Sequence, residues 1–471
     1  MGTQLDLIVI GSGTGGYVAA IRAAQLGLRV AVVEREPVLG GTCLNWGCIP
    51  TKALLEHAHA LKIAQHAADW GVRLGDGPVS IDMATVQMSK NRLVGGLTKG
   101  IEYLFKKHAI DWVRGTGHLR GNGRVAVEGH DGRDLQAPEI IVATGSTPRS
   151  VPGVAVDGTR IITSDHAIAL AHVPKSVVVL GSGAVGVEFA SIFRRFGSQV
   201  MLVEVLPRIV PNEDEDVSTE LRKAFEKEGI VVRTGARLRS AEPGSDTVRM
   251  DIELADGRTE HAEAEYLLVA TGRGPVTMGL GAEDAGLELD GGYVRVDEQF
   301  RTNVPGISAI GDVISLGGPP HAQLAHLSSA EGIATAERLA GRPFRPIAYD
   351  RVPTCTYCDP EIGSVGLTER QAGERGYDVV VGRFPFSALG RARIAGETAG
   401  FVKVVAERTY DEVLGVHMIG PRATELVGEA TLALRLECTA EELARTIHAH
   451  PTMSEAIGEA AHVVHGGAIH L

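Results

Sequence analysis

The stretch Leu5-Asp-Leu-Ile-Val-Ile10-Gly11-Ser-Gly13-Thr-Gly-Gly16 decides the fold of the N-terminal part of the chain. It joins a short apolar run to a glycine-rich loop, and a helical pattern of mostly small apolar residues follows at 17–26. A second apolar run, at 28–33, then ends in Glu34. This order of strand, glycine loop, helix, strand and acidic residue is typical of a dinucleotide-binding unit.

Each residue of this pattern has a physical role. Gly11 permits the tight turn after the strand, Gly13 lets a pyrophosphate approach the backbone, and Gly16 allows the helix to pack against the strand. The N-terminus of the helix faces the phosphates, and Glu34 can accept hydrogen bonds from ribose hydroxyls. A glycine-rich turn without a ligand is the alternative, and the complete strand–helix–strand context argues against it.

The same unit returns 170 residues later in the chain. The apolar run 176–180 leads into Gly181-Ser-Gly183-Ala-Val-Gly186, and a helix and a strand then end in Glu204. Two complete units predict two nucleotide sites. Because a carboxylate at Glu204 would repel a 2′-phosphate, we expect NAD rather than NADP in the second site. Arg208 lies close in sequence and keeps NADP open as the alternative.

Each unit is closed by an apolar strand that ends in Ala-Thr-Gly. The two tripeptides are Ala143-Thr144-Gly145 and Ala270-Thr-Gly272, and prolines and glycines after them indicate linkers. Alternating segments around 110–137 and 230–265 predict a small antiparallel sheet inserted in each unit. We therefore expect a dinucleotide-binding domain at 1–150, a second one at 151–275, a segment at 276–345 that completes the first site, and an α+β domain at 346–471.

Composition and charge limit the class of protein. The 471 residues, 59 of them glycine, suit a globular α/β protein that needs many tight turns. A net charge of −12 argues against nucleic-acid binding, which requires a basic face. Five cysteines do not suggest an extracellular disulfide framework, and the first apolar run lacks the basic flank of a signal peptide. The apolar stretch 177–193 is interrupted by glycines and Glu188, so we expect no membrane span and a cytoplasmic protein.

A second decisive stretch, Gly40-Gly-Thr-Cys43-Leu-Asn-Trp-Gly-Cys48-Ile-Pro-Thr-Lys52, follows directly behind the first unit. A disulfide between Cys43 and Cys48 would close a very short loop and so remove little entropy from the unfolded chain. A dithiol/disulfide couple that cycles beside a redox cofactor explains the pair better than a structural bridge does. Two buried thiols without a redox function are the alternative.

Three further features are less decisive. Asp312 follows a short strand and could accept hydrogen bonds from cofactor hydroxyls, although a helix N-cap would look the same. Cys355-Thr-Tyr-Cys358 is a pair of buried thiols, a second redox couple or half of a zinc site. His448 and His450 stand close in sequence, but no further ligands occur at matching spacing. We therefore expect no metal site, and for His448 either a structural role or a role in supporting the catalytic residues.

With both nucleotide units, the cysteine stretch and the late segment His448-Ala-His450-Pro451-Thr-Met-Ser-Glu455, the chain resembles the flavoprotein pyridine nucleotide-disulfide oxidoreductase family over essentially its whole length. Within that family it looks most like the branch that oxidises dihydrolipoamide. The tryptophan in the cysteine stretch favours this branch. So does Val185, which stands where glutathione-reducing relatives usually carry a bulky tyrosine.

The resemblance implies the fold and the cofactors. It implies an α/β protein with two Rossmann-like domains, for FAD and NAD, and a C-terminal α+β dimerisation domain, assembled as a homodimer. It also implies that Asp312 contacts the flavin and that Lys52 lies near the flavin and pairs with Glu188. The residues expected to contact the two cofactors are Gly11, Gly13, Gly16, Glu34, Lys52, Thr144, Gly145, Gly181, Gly183, Gly186, Glu188, Glu204, Gly272 and Asp312.

The resemblance also implies roles in thiol–disulfide exchange. Cys43 would exchange with the lipoyl sulfur, and Cys48 would face the flavin and pass electrons to it. His450 would be the base that takes the proton from the dihydrolipoyl thiol, because an imidazole titrates near neutral pH. Glu455 would orient the imidazole, and in the family this histidine comes from the partner subunit. A cis peptide bond before Pro451 would fit a turn that aims the ring.

We therefore expect an NAD-dependent enzyme that oxidises protein-bound dihydrolipoyl groups through Cys43, Cys48 and FAD. Its partners would be a lipoyl-bearing acyltransferase or H-protein of a 2-oxo acid dehydrogenase or glycine-cleavage complex. If the protein is an enzyme with a different substrate, the alternative is an NAD(P)H-dependent reductase of another disulfide, or a diaphorase. If the protein is not an enzyme, the alternative is a subunit that serves only in assembly. The intact set of Cys43, Cys48, His450 and Glu455 argues against this alternative.

Overall fold

The computed structural model describes residues 4–75, 77–318 and 320–471. The chain folds into two compact units, and each is assembled from separate segments. The first unit comprises Met1–Ala53, Ala84–Arg149 and Arg273–Ile347. The second unit comprises Leu54–Met83, Ser150–Gly272 and Ala348–Leu471. The finer division into four parts, expected from the sequence, stays a prediction.

A five-stranded parallel sheet forms the core of the first unit. Its strands are, in spatial order, Ile307–Ala309, Glu139–Val142, Leu7–Ile10, Val30–Glu34 and Asp111–Arg114. Every pairing is parallel. The strands Leu7–Ile10 and Val30–Glu34 are buried over their whole length. Because both faces of a parallel sheet are covered by other parts of the protein, the side chains on both sides of these strands are buried. Their sequences are therefore nearly continuous apolar runs.

Close helix packing in the first unit depends on glycine. The helices Thr14–Gln25 and Ala325–Leu339 lie against each other. A Cβ atom at Gly332 would lie 2.6 Å from the carbonyl oxygen of Gly15, so a larger residue would push the helices apart. The other helices with residues in this unit are Gly41–Asn45, Cys48–Gln65 and Met83–Lys107.

Three small sheets accompany the parallel sheet of the first unit. They are the antiparallel meander of Thr116–Leu119, Arg124–Glu128 and Arg133–Gln136, the pair Ser146–Pro148 and Arg273–Pro275, and the set Leu289–Asp290, Tyr293–Arg295 and Ile314–Ser315. The meander confirms the insert predicted around 110–137. The start of that prediction is wrong, because Asp111–Arg114 joins the parallel sheet, where Val113 packs into the main core.

The second unit repeats the parallel design. Its parallel strands are, in spatial order, Val231–Thr234, Gln199–Glu204, Ser176–Leu180, Tyr266–Val269 and Ile161–Ile162. The predicted antiparallel insert consists of Arg237–Pro243, Val248–Glu253 and Thr259–Ala264. Here too its expected first strand, Val231–Thr234, belongs to the parallel sheet instead. The accompanying helices are Ser164–Ala167, Ala184–Phe196 and Glu215–Lys227. The prediction of two Rossmann-like units is confirmed.

The C-terminal part of the second unit is an α+β arrangement, as predicted. Its antiparallel sheet contains, in spatial order, Thr354–Thr356, Glu361–Gly366, Val413–Gly420, Phe401–Glu407 and Val379–Pro385. Its helices are Glu369–Glu374, Gly390–Ala395, Ala423–Arg435, Ala440–Arg445 and Glu455–Val464. The last helix packs closely on the sheet, since a Cβ atom at Gly382 would lie 2.8 Å from the backbone nitrogen of Val464.

The remaining helical elements are short. Turns of 3-10 helix occur at Ala67–Trp70, Gly311–Val313, Tyr349–Arg351 and Phe386–Ala388. In the part of the chain that the structure describes, no helix combines the length and the apolar character needed to cross a membrane.

A buried cation connects two parts of the second unit. Lys403 lies on the strand Phe401–Glu407, and only 2% of its side chain is exposed. Its Nζ donates hydrogen bonds to Asp214 at 2.9 Å and to Asp216 at 2.8 Å. A carboxylate oxygen of Glu369 lies 2.6 Å away. One lysine of the C-terminal sheet therefore holds the segment before the helix Glu215–Lys227.

Asp214 is the partner that depends most on this lysine. It caps the following helix by accepting a hydrogen bond from the backbone of Asp216, and 3% of its side chain is exposed. Burial would raise the pKa of Asp214, but the hydrogen bond from Lys403 and the charges of His417 and Lys403 lower it below the ordinary value. Removing Lys403 would therefore leave a buried carboxylate without its cation.

We expect Lys403→Met to lower the midpoint of thermal unfolding by several degrees, because breaking a buried ion pair on one side costs about 3–5 kcal/mol. Since the pKa of Asp214 is lowered by folding, its contribution is present above the unfolded pKa and disappears as the pH falls through the folded pKa. The difference between wild type and variant should shrink accordingly in acid. The control Lys223→Met removes an exposed lysine 3.9 Å from Glu220 and should cost less than about 1 kcal/mol. Equal midpoints for both variants would contradict this role of Lys403.

Candidate active site

The two cysteines of the decisive stretch lie at the junction of two helices. Cys43 is in the short helix Gly41–Asn45, and Cys48 is the first residue of the helix Cys48–Gln65. The N-terminus of a helix stabilises negative charge, because unpaired backbone N–H groups point toward it. The local fold therefore gives the two sulfur atoms different surroundings.

The side chains of Cys43 and Cys48 are hydrogen-bonded to each other. This hydrogen bond, the burial of the thiol and the charge of Cys48 raise the pKa of Cys43 well above its ordinary value. The charge of Lys52 acts in the opposite direction, and that of Asp312 adds to the increase. The first unit thus brings together both predicted cysteines, Lys52 and Asp312. A thiolate at Cys43 needs a base to form.

The first glycine loop packs tightly against the protein at Gly11 and Gly16 but leaves open space at Gly13. Gly11 has a φ of +101°, and a Cβ atom there would collide with the carbonyl oxygen of Ala143. A Cβ atom at Gly16 would collide with the backbone of Gly11. By contrast, apart from the neighbours in sequence, no atom of the described chain lies within 4 Å of a Cβ atom built on Gly13. The open side fits a pyrophosphate at the start of the helix Thr14–Gln25.

The carboxylate of Glu34 anchors this loop to the sheet. Its Oε2 accepts hydrogen bonds from the backbone N–H and the hydroxyl of Ser12, at 2.8 and 2.7 Å. Its Oε1 accepts a hydrogen bond from the backbone N–H of Glu36 at 2.9 Å. Glu34 is buried at the end of its strand, the position from which such units bind ribose hydroxyls.

The second glycine loop reproduces these contacts. Gly181 has a φ of +99°, Gly186 leaves no room for a side chain, and Gly183 is open in the same way as its counterpart. Glu204 accepts hydrogen bonds from the backbone N–H and the hydroxyl of Ser182, again at 2.8 and 2.7 Å. The sequence repeat is therefore also a repeat of geometry.

Arg208, the residue that kept NADP open, has other partners. Its guanidinium donates hydrogen bonds to the carbonyl oxygens of Glu213 at 3.0 Å and of Pro211 at 2.7 Å. A 2′-phosphate would have to replace these hydrogen bonds and would also meet the carboxylate of Glu204. The second loop therefore favours NAD.

The predicted flavin contact Asp312 lies in a polar cluster of the first unit. It accepts a hydrogen bond from the hydroxyl of Ser146 at 2.6 Å, and Nε of Arg273 donates to the same hydroxyl oxygen at 2.8 Å. Arg273 also donates to the carbonyl oxygen of Ser146 at 2.6 Å. Burial raises the pKa of Asp312, and the hydrogen bond from Ser146 and the charge of Arg273 work against this increase.

Ser146 and Arg273 are site residues that the sequence reasoning missed. Each directly follows one of the two Ala-Thr-Gly tripeptides, and their short strands pair antiparallel. Thr144 of the first tripeptide donates a hydrogen bond to the carbonyl oxygen of Val276 at 2.6 Å. The repeated tripeptide is the signal that could have identified them, because it marks two segments that meet beside Asp312.

The remaining predicted cofactor residues are divided between the two units. Gly145 and Lys52 belong to the first unit, and Gly272 and Glu188 to the second. Glu188 is buried on its helix and accepts a hydrogen bond from the backbone N–H of Tyr357 at 3.0 Å. Its pairing with Lys52 stays a prediction.

Glu331 is another residue that the sequence reasoning missed. It is fully buried on the helix Ala325–Leu339, and its Oε2 accepts a hydrogen bond from the backbone N–H of Gly311 at 2.7 Å. Its Oε1 lies 2.6 Å from Nε2 of His321. The backbone next to Asp312 is therefore fixed by a buried carboxylate. No local motif marks Glu331, which stands in a helix of ordinary composition.

His450 and Glu455 are brought together in the second unit. Nδ1 of His450 lies 2.8 Å from Oε1 of Glu455, whose second oxygen accepts a hydrogen bond from the backbone N–H of Thr452 at 2.8 Å. The bond between His450 and Pro451 is cis, as predicted. Burial would raise the pKa of Glu455, but the hydrogen bonds from Thr452 and His450 lower it. The imidazole remains 78% exposed, so it is accessible to a proton donor.

His448 has a separate partner. Its Nε2 lies 2.7 Å from a carboxylate oxygen of Glu429, and this hydrogen bond raises the pKa of His448. Only 9% of its side chain is exposed, which agrees with a structural role. Among residues 4–75, 77–318 and 320–471, no group of three or more His, Cys, Asp or Glu side chains is placed to hold a metal ion.

Cys355 and Cys358 have different surroundings. The thiol of Cys355 contacts the carbonyl oxygen of Thr424 at 3.8 Å, and that of Cys358 contacts the carbonyl oxygen of Pro360 at 3.3 Å. Cys358 is fully buried, and burial raises its pKa well above the ordinary value. Because a buried thiol with a raised pKa is a poor nucleophile, this arrangement favours buried thiols over a second redox couple.

We expect Gly13→Ala to fold but to lose FAD. The backbone at Gly13 has a φ of −63°, which alanine adopts without strain, and the added methyl group would enter the open side of the loop. The purified variant should lack flavin absorbance while its far-UV circular dichroism stays unchanged. The matched control, Gly183→Ala, has the same open position and a φ of −66°. It should keep the flavin and raise KM for NADH by roughly tenfold or more. If the purified Gly13→Ala protein retained flavin absorbance, the assignment of FAD to the first glycine loop would be contradicted.

Family models match both parts of the chain. Residues 5–332 match the pyridine nucleotide-disulphide oxidoreductase family, and residues 352–461 match the dimerisation domain of that family. The chain is similar to dihydrolipoyl dehydrogenase 3 of Pseudomonas putida, with 45% identity over 99% of each chain. It is also similar to dihydrolipoyl dehydrogenase of Bacillus subtilis, with 44% identity over 100% of each chain. Leghemoglobin reductase of Glycine max is 42% identical over 97% of this chain and 87% of its own.

Solved structures of similar proteins share the fold. LpdA from Mycobacterium tuberculosis has a TM-score of 0.88 at 28% identity, covering 98% of this chain and 100% of its own. The Cu(II) complex of the HOCl-induced flavoprotein disulfide reductase RclA from Escherichia coli has a TM-score of 0.87 at 26% identity, with the same coverage. These matches agree with the two glycine loops and the cysteine pair. The chain belongs to the pyridine nucleotide-disulphide oxidoreductase family.

Proposed function

We propose that this protein is a dihydrolipoyl dehydrogenase, which oxidises protein-bound dihydrolipoyl groups with NAD⁺. The observation that carries the proposal is the hydrogen-bonded pair Cys43 and Cys48 at a helix junction, in the unit that contains the first glycine loop. Relatives with this name are 45% and 44% identical over nearly the whole chain. A docking protein without catalysis would not need a dithiol of this kind.

The enzyme uses FAD and NAD. The first glycine loop, Glu34 and the cluster around Asp312 would hold FAD, with Lys52 near the flavin. The second loop and Glu204 would hold NAD. Both loops fit a dinucleotide, because each combines a tight turn with an open glycine at the start of a helix. When bound, FAD would supply the two-electron chemistry that connects a dithiol with hydride transfer to NAD⁺.

Cys43 and Cys48 carry out the thiol–disulfide exchange. In the oxidised enzyme, a dihydrolipoyl thiolate attacks the sulfur of Cys43, the Cys43–Cys48 bond breaks, and Cys48 leaves as a thiolate. The second lipoyl thiolate then attacks the first lipoyl sulfur, and Cys43 leaves. The substrate loses two electrons and two protons, and the cysteine pair gains the electrons. The position of Cys48 at a helix N-terminus favours it as the leaving thiolate.

The exchange requires a base, because the pKa of Cys43 is raised and lipoyl thiols are protonated near neutral pH. His450 would supply it. Its Nδ1 is held by Glu455, so its exposed imidazole can receive the substrate proton at Nε2. In a homodimer, His450 of the partner subunit would serve the cysteines of this one. The match of residues 352–461, which include His450 and Glu455, to a dimerisation domain supports this arrangement.

The substrate determines the partners. Dihydrolipoyl groups would be presented by a lipoyl-bearing acyltransferase of a 2-oxo acid dehydrogenase complex or by the H-protein of a glycine-cleavage complex. The assembly would work in the cytoplasm, since the five cysteines are too few and too irregular for an extracellular disulfide framework.

The purified holoenzyme is expected to oxidise dihydrolipoamide with NAD⁺, and His450→Gln is expected to lower kcat at least about 100-fold, a typical contribution of a positioned base. The variant should keep its flavin and its dimeric size in gel filtration. His448→Gln is the matched control, because His448 pairs with Glu429 and lies outside this mechanism. It should retain most of the activity.

Two outcomes would count against these roles. Faster turnover of glutathione disulfide than of lipoamide by the wild type would overturn the proposed substrate. Undiminished turnover by His450→Gln would remove His450 from the mechanism while leaving the substrate in place.

Removing the charge of Glu204 should narrow the preference for NADH over NADPH. Glu204→Gln keeps an acceptor oxygen but no longer repels a 2′-phosphate, so we expect the ratio of the two kcat/KM values to fall by about tenfold. The control is Glu34→Gln, measured on the flavin-loaded fraction, which changes the equivalent residue of the first loop. It should leave the ratio unchanged. A constant ratio in Glu204→Gln would reject its role in ribose recognition.

A further inference from the structure

The C-terminal segment carries a second histidine–carboxylate pair. Nδ1 of His470 lies 2.7 Å from one carboxylate oxygen of Glu459. The other oxygen accepts hydrogen bonds from the backbone N–H groups of Ile469 at 3.0 Å and of His470 at 3.3 Å. The side chain of Glu459 is 11% exposed and that of His470 is 69% exposed. The end of the chain is therefore fixed to the helix Glu455–Val464 through one carboxylate.

The two pairs share a helix and a geometry. Glu455 and Glu459 are four residues apart, so they lie on one face of the helix and about 6 Å apart along its axis. In both pairs one carboxylate oxygen binds Nδ1 of an imidazole, and the other binds backbone N–H groups of the segment that carries the imidazole. Burial raises the pKa of Glu455, the hydrogen bonds from Thr452 and His450 lower it, and the charge of His470 lowers it further.

We propose that His470 is a positioning residue of the dihydrolipoyl site, which pairs with Glu459 so that Glu455 is free to hold His450. The inference rests on the proposed function, in which His450 is the base. Without the imidazole of His470, Glu459 would keep only its backbone hydrogen bonds, and its carboxylate charge would lie one helical turn from Glu455 without an imidazole beside it. Like charges at this spacing repel each other, and the repulsion would disturb the contact between Glu455 and His450.

The same segment offers a matched control. His465 lies five residues before His470 and is 45% exposed, but its Nε2 faces a carboxylate oxygen of Asp411 at 3.3 Å. Asp411 lies between the strands Phe401–Glu407 and Val413–Gly420 and not on the helix that carries Glu455. Removing His465 therefore takes away another partly exposed imidazole of the same segment without uncovering a carboxylate beside Glu455.

The experiment compares two activities of the same holoenzyme. His470→Ala is expected to lower kcat for dihydrolipoamide oxidation about tenfold, because a small displacement of a catalytic group has a large effect on rate. NADH oxidation with ferricyanide, which bypasses the thiol exchange, should be unchanged. His470→Asn keeps a side-chain N–H for Glu459 and should recover most of the lost rate. His465→Ala should match the wild type in both reactions.

A double variant separates charge from simple loss of packing. Adding Glu459→Gln to His470→Ala removes the negative charge beside Glu455, so turnover of dihydrolipoamide should rise again toward the wild-type value. Equal losses in the two reactions of His470→Ala, full dihydrolipoamide turnover in that variant, or no recovery in the double variant would each overturn the role of His470. A wild-type enzyme without dihydrolipoamide turnover would instead overturn the proposed function.

Discussion

A buried carboxylate at the end of a strand holds each glycine loop in the shape that a dinucleotide needs. Glu34 and Glu204 each accept two hydrogen bonds from a serine inside the loop, Ser12 and Ser182, with the same distances in both copies. A chain of glycines has many accessible conformations, and these hydrogen bonds select one of them. The open space above the middle glycine exists only while the loop is held against the sheet. Each nucleotide site thus depends on its acid for its shape.

The strands that form this frame were the easiest to predict. Strands such as Leu7–Ile10 and Ser176–Leu180 are buried in parallel sheets, so their sequences are continuous apolar runs. The errors occurred at the sheet edges. Asp111–Arg114 and Val231–Thr234 are only partly buried and mix apolar with polar residues, although both pair in parallel. A short run of mixed polarity does not distinguish such an edge strand from the antiparallel hairpins that follow it.

The candidate site was predictable where its parts are close in sequence. The cysteine pair stands within one short stretch, and His450 and Glu455 are five residues apart, so side chains that meet in space also form a local pattern. The contacts of Ser146 with Arg273 and Asp312 span 127 and 166 residues. Contacts of this range leave no spacing pattern in a single sequence, and only the repeated tripeptide indicates where the segments meet.

The chain leaves the first unit and returns to it at neighbouring points. The strands Ser146–Pro148 and Arg273–Pro275 are paired residue by residue, so residues 150–272, which belong to the second unit, begin and end side by side. A segment whose two ends lie together can change in length and sequence without rerouting the host chain. Selection can therefore change which nicotinamide nucleotide the second site accepts, or how tightly it is bound, while the flavin site keeps its own architecture.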